Sequence, residues 1–195
     1  TPCGTLFPYT TLFRSAIQIG GSTYPSETIH PDGNRTILES VLYDDFNTDK
    51  GWTLTGEFER DAPQGLGGEN YGNADPEEAL IGENVLGTDL TGLGSNEGKY
   101  EPNISKDEYS ATTKTINCGY YRNLKIYFHR WLNIDVLDND SASLYYSIDN
   151  GSTWEPFWHN RNVGATLENN WNRVSYSLPE EIEYQPEIKL KIAVG

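Results

Sequence analysis

At 195 residues, the chain has room for one full domain with a tail, or at most two small ones. Its formal charge of −15, from 29 acidic against 14 basic residues, sets it against nucleic-acid phosphates and anionic membrane surfaces as partners. No apolar run approaches the roughly 18 residues of a membrane span, and the composition (13 Tyr, 5 Trp, 19 Gly, 10 Pro, no Met) suits strands and turns rather than helices.

Residues 5–15 read TLFPYTTLFRS, the translation of a common short-read sequencing adapter, so residues 1–15 are expected to be adapter-derived and to stand outside the fold. With Cys3 in that stretch, Cys118 is left as a lone thiol and no disulfide framework is expected. Residues 16–39 place Gly20, Gly21, Pro25, Pro31 and Gly33 among isolated apolar residues, which predicts a connector or the remnant of an upstream domain. From residue 40 the pattern sharpens, with short strands predicted over Ser40–Phe46, Trp52–Phe58 and Asn84–Leu90. Between them 61–84 is a Gly- and Pro-rich loop, and 91–111 is a polar one.

Thr113–Cys118 leads into the clearest strand of the chain, Asn123–Leu132 (NLKIYFHRWL). Leu124, Ile126, Phe128 and Leu132 share one face with Arg130, and Lys125, Tyr127, His129 and Trp131 share the other. A buried guanidinium needs a carboxylate or carbonyl partner, so Arg130 is expected to pair with a nearby acid. Ser141–Ile148, Thr153–Trp158, Asn172–Leu178 and Glu187–Val194 complete the set, several with period-two alternation. Together they predict an all-β, two-sheet antiparallel β-sandwich over 40–195, with the jelly roll as its architecture and a closing strand missing after Gly195.

Three constellations carry candidate chemistry. Tyr127, His129 and Trp131 at two-residue spacing form either a stacking platform for sugar rings or a face covered by other parts of the chain, with Tyr145 and Trp158 as possible extensions. Asp135, Asp138 and Asp140 put alternating carboxylates on one short loop, which suits Ca²⁺, a hard oxygen-seeking cation, or simply a solvated turn; Asp45 is a further candidate ligand. SIDNGSTW at 147–154 fits the Asp-box pattern S-x-D-x-G-x-T-W, in which Asp149 bonds nearby backbone amides, Gly151 supplies a positive φ, and the role is structural. Catalytic signatures are missing: His30, His129 and His159 are scattered, there is no H-E-x-x-H or G-x-S-x-G, and GLGGENYG at 65–72 lacks the lysine of a phosphate loop.

Several segments together resemble a known group: YDDF with Gly51-Trp52, GEFERDAPQG at 56–65, VLGTDLTG at 85–92, YEPN at 100–103, LKIYFHRWLNID at 124–135 and SIDNGSTW. They are similar to the MAM-like, concanavalin-like jelly-roll modules of multidomain secreted bacterial proteins. The resemblance implies a noncatalytic accessory module, secreted or at the cell surface, with a structural Ca²⁺ and a carbohydrate or protein surface as partner. A spacer or adhesin repeat without a ligand is the alternative, and a divergent sandwich glycosidase a more distant one.

Overall fold

Alternation along the chain decides what can pair, so the strands are best taken with their faces. The computed structural model describes residues 11–23, 39–68, 72–95, 98, 101, 104–134 and 140–195, with no side-chain detail for 11–15, 22–23 and 39. Among the described residues there are twelve strands: β1 (Thr11–Thr23), β2 (Glu39–Asp44), β3 (Thr53–Leu54), β4 (Phe58–Asp61), β5 (Val85–Thr88), β6 (Tyr109–Thr112), β7 (Tyr121–Ile134), β8 (Ala142–Ser147), β9 (Glu155–His159), β10 (Thr166–Leu167), β11 (Asn172–Ser177) and β12 (Lys189–Val194). Every pairing is antiparallel. The first sheet runs β10-β7-β1-β5-β4, with β11 also on β7 and β2 also on β1; the second runs β3-β6-β12-β8-β9.

The two sheets form a β-sandwich. Leu124, Ile126, Phe128 and Leu132 of β7 and Ile17 and Ile19 of β1 pack on Ala142, Leu144 and Tyr146 of β8, Leu190, Ile192 and Val194 of β12, and Trp158 of β9. These are mostly branched and aromatic side chains on a pleated surface, and their burial is the main stabilising term of such a core.

Three sequence expectations change here, among them the placing of residues 1–15 outside the fold, since Thr11–Ser15 belong to β1. The connector expected over 16–39 does not hold for 16–23, which are the inner half of β1, with Ile17 2% and Ile19 0% exposed. The apolar alternation there spans only two residues before Gly20-Gly21, too short to stand out, and its partner strands lie far along the chain. Thr11–Ser15 continue the same strand, with Leu12 opposite Gly87 and Trp131. The polar loop expected over 91–111 gives way to β6 at Tyr109–Thr112, and beyond it Ile116 forms an isolated bridge with Ile188.

One charged pair sits within the core. Arg130, 9% exposed, shares the inward face of β7 and meets Glu168, just past β10. Its Nη2 lies 2.7 Å from Oε1, and Nε donates to both carboxylate oxygens at 3.2 and 3.3 Å. Glu168 Oε2 also accepts the Leu132 amide at 2.6 Å, Arg130 Nη1 donates to the Tyr176 hydroxyl at 3.2 Å, and the guanidinium lies 5.4 Å from the Trp158 ring of the opposite sheet. The expected acid partner is therefore present, and each guanidinium nitrogen has a bonded partner, which is the condition under which a buried pair is tolerated.

A second buried carboxylate organises the turn after β2. Asp44, 0% exposed, accepts the Phe46 amide at 2.9 Å and the Trp52 indole N–H at 2.8 Å, holding the two rings 5.8 Å apart. Phe46 in turn offers its carbonyl to Arg60 Nη1 at 2.9 Å.

Removing one charge of the Arg130–Glu168 pair strands the other. Arg130→Met alone and Glu168→Gln alone are each expected to lower stability by roughly 3 kcal/mol. The double variant, which removes both charges and keeps an acceptor for the Leu132 amide, should be more stable than either single one. Urea denaturation measures all four; additive losses would show that the pair is not coupled.

Candidate functional site

The outward face of β7 is set by the inward one. With Arg130 and its even-numbered neighbours in the core, Tyr127, His129 and Trp131 point away from it. The cross-strand register then lays out a row: Tyr43 of β2 opposes Gln18 of β1, Gln18 opposes Tyr127, and Tyr127 opposes Ser175 of β11. Two strand spacings put the Tyr43 and Tyr127 backbones about 10 Å apart on one pleated surface. His129 follows on the same face, opposite Arg173.

These residues line an open depression of about 280 Å³, bounded by Ala16, Gln18, Tyr43, Ile81, Tyr127, Phe128, His129 and Arg173. Tyr43 is 46% exposed and Tyr127 and His129 are half-buried. Each tyrosine has a cation near its ring: Lys50 Nζ is 5.5 Å from Tyr43, and the Arg173 guanidinium 5.8 Å from Tyr127. Lys50 is held there by its bond to the Tyr43 carbonyl at 2.7 Å. Stackable rings, an amide and a guanidinium on a broad surface can hold a ligand with apolar faces and hydroxyl edges.

Trp131 does not join this surface. It packs edge-on against Trp171, with centroids 5.8 Å apart, in a small cluster with Val85, Leu90 and Ala79 over the outer side of the sheet. The extensions considered from sequence also fall elsewhere: Trp158 is 8% exposed in the central core, and Tyr145 belongs to the second sheet. Tyr43, Gln18 and Arg173 are the additions. Tyr43 alternates with buried neighbours in SVLYD, but nothing local ties it to Tyr127; only the pairing through β1 does.

Two of the four candidate cation ligands fall among the described residues. Asp135 and Asp138 lie outside the described residues, as do Cys3 and His30. Asp45 sits in the turn after β2, where its Oδ1 accepts the Asn47 amide at 3.2 Å, and Asp140 precedes β8. Among the described residues no group of three or more acidic, histidine or cysteine side chains could hold a metal ion, so Asp45 and Asp140 do not share such a set.

The Asp-box is a self-contained hairpin. Asp149 Oδ1 accepts the Ser147 hydroxyl at 2.7 Å and the Thr153 amide at 2.9 Å, and Oδ2 accepts the Thr153 hydroxyl at 2.6 Å. The bonds from Thr153 and then Ser147 hold the carboxyl down to about 2. Gly151 has φ +94, and a side chain there would approach the Trp154 ring, which itself lies 4.7 Å from Lys191 Nζ. These bonds close the hairpin on itself, which is a structural role. Cys118 is a buried thiol pushed up to about 11 by burial, and is unsuited to nucleophilic chemistry.

A group of acids absent from the sequence expectations lies at the end of β4. Glu57 is 8% exposed, with Asp89, Glu101 and Glu59 around it. Glu59 is tied to Thr91, whose hydroxyl donates at 2.6 Å, and Glu101 accepts the Ser95 amide. Glu57 Oε2 has no hydrogen-bond partner among the described residues. Burial, then the charges of Asp89, Glu101 and Glu59, push the Glu57 carboxyl up to about 7.

Comparison with protein families, with curated proteins and with solved structures finds no match to this chain.

The raised Glu57 value fixes the sign of a pH effect. A carboxyl that holds its proton more tightly folded than unfolded favours folding most while protonated. Stability therefore declines as pH rises from the ordinary value of 4.5 through about 7. Glu57→Gln should remove that slope, matching the native chain at pH 4 and exceeding it at pH 8 by on the order of 1 kcal/mol. Urea midpoints across that range measure it; equal slopes in both proteins would place the charge strain elsewhere.

Proposed function

We propose that this chain is a noncatalytic accessory module of a larger secreted or cell-surface protein, binding carbohydrate through the outer face of its first sheet. The observation that carries this reading is the row Tyr43–Gln18–Tyr127, continued by His129 and Arg173, around one open depression. Aromatic rings stack on the apolar faces of sugars, while amide and guanidinium groups bond hydroxyls. A protein surface rich in aliphatic and hydroxyl groups is the related partner class. The sandwich architecture and the six sequence segments support kinship with MAM-like, concanavalin-like jelly-roll modules. No helix among the described residues is long and apolar enough to cross a membrane.

Glycan-array binding of the native chain and of the Tyr43→Ala and Tyr127→Ala variants tests the surface. Each substitution is expected to weaken binding about tenfold, and Trp131→Phe, in the separate cluster, to leave it unchanged. Absence of any glycan or protein partner for the native chain would leave the spacer or adhesin repeat as the better account. A structural Ca²⁺ belongs to the same reading and is assigned to the 135–140 loop. Calcium should then raise the melting temperature of the native chain, and Asp140→Ala should abolish that increase. An unchanged melting temperature on adding calcium to the native chain would reject it.

A further inference from the structure

In a chain with twice as many acids as bases, a pocket whose described lining residues include three bases and no acid is an unusual concentration of charge. One lies at the margin of the second sheet. Ile104, Ser105 and Lys106 of the loop before β6, Ser141 before β8, and His159 and Arg161 at and beyond the end of β9 bound a depression of about 350 Å³. Three of these six residues are basic.

The donors are arranged for an incoming acceptor. His159 Nδ1 accepts the Arg161 amide at 3.0 Å, so the neutral ring carries its proton on Nε2, and Nε2 remains a donor in either protonation state. Lys106 and Arg161 lie close enough to His159 that, after burial, their charges hold its pKa below the ordinary value, with Asp107 opposing. The one salt bridge among the described residues is Arg130–Glu168, so neither Lys106 nor Arg161 has a carboxylate partner there. Of the neighbouring acids, Asp107 Oδ2 accepts the Tyr145 hydroxyl at 2.6 Å while Oδ1 has no hydrogen-bond partner among the described residues, and Glu108 Oε2 accepts the Ser105 amide at 2.6 Å. Ser141 spends its proton on the Gly195 carbonyl at 2.6 Å, which leaves Lys106, Arg161, His159 and the Ser105 hydroxyl as side-chain donors of the described lining.

We propose that this pocket binds an oxyanion, the carboxylate or sulfate ester of an acidic saccharide. Ammonium, guanidinium and imidazole donors together favour a group with several acceptor oxygens and a negative charge. The pocket deepens the carbohydrate reading by naming a charged substituent, but its residues belong to the second sheet and the loops beside it, apart from the tyrosine row.

The test titrates the ¹⁵N-labelled chain with sodium sulfate and with sodium glucuronate, each against sodium chloride at matched ionic strength, and follows the Ser105, Lys106 and Arg161 amides and the His159 imidazole by NMR. Saturable shifts confined to these groups are expected for at least one anion. A response to sulfate alone identifies a sulfate ester as the natural group, and a response to glucuronate alone a uronate. The Lys106→Ala/Arg161→Ala double variant should bind that anion at least tenfold more weakly, while Tyr127→Ala should bind it as the native chain does. Shifts no larger than those from chloride, or a double variant that binds like the native chain, would overturn the proposal. Loss of glycan-array binding in Tyr127→Ala with anion binding intact, or the reverse in the double variant, separates the fate of the two surfaces.

Discussion

Arg130 fixes the sense in which the longest strand faces the core. A guanidinium at an inward position is tolerable only where a carboxylate and further acceptors meet it, and Glu168 and Tyr176 do so within 3.3 Å. Because strand side chains alternate, a slip of one residue in β7 would take Arg130 away from Glu168 and bring His129 or Trp131 into the core. The pair thus acts on register as much as on stability. From that register follow the neighbours on both sides: β1 across Ile17–Ile19, and β11 across Asn172–Ser177.

The same constraint positions the outer surface. Once Phe128 points inward, Tyr127 must point outward, and antiparallel pairing through Gln18 brings Tyr43 onto its row. The surface is flat because it is a sheet, and it stays partly open because loop residues gather over Trp131 instead, where Ala79 and Leu90 close a separate cluster. A single strand face is thereby divided: one end is covered and packed, and the other is available to a ligand.

Electrostatics is managed locally throughout this acidic chain. Asp44 and Asp149 are fully occupied by amide, hydroxyl and indole donors, so their charges shape turns. Glu57 is the contrasting case, crowded by other carboxylates and held partly protonated near neutral pH. The basic group at Lys106, His159 and Arg161 is the complementary exception, and among the described residues none of the three forms a salt bridge. That separation of sign gives the second sheet's margin a chemistry the average charge conceals.

Legibility from sequence followed the range of the interactions involved. Strand β7, the inward Arg130 with its need for an acid, the Asp-box bonds and the sandwich class were all readable, because alternation and turn chemistry act between residues a few positions apart. The loop placed over 91–111, whose end belongs to β6, and the connector placed over 16–23 were misread where local alternation was short and pairing partners were distant. The identity of Glu168 as the partner, the separation of Trp131 from Tyr127, the Tyr43–Gln18–Tyr127 row and the basic pocket came only from tertiary structure. Each depends on which strand lies beside which, and cross-strand register is a property of the assembled sheet that no local window of sequence contains.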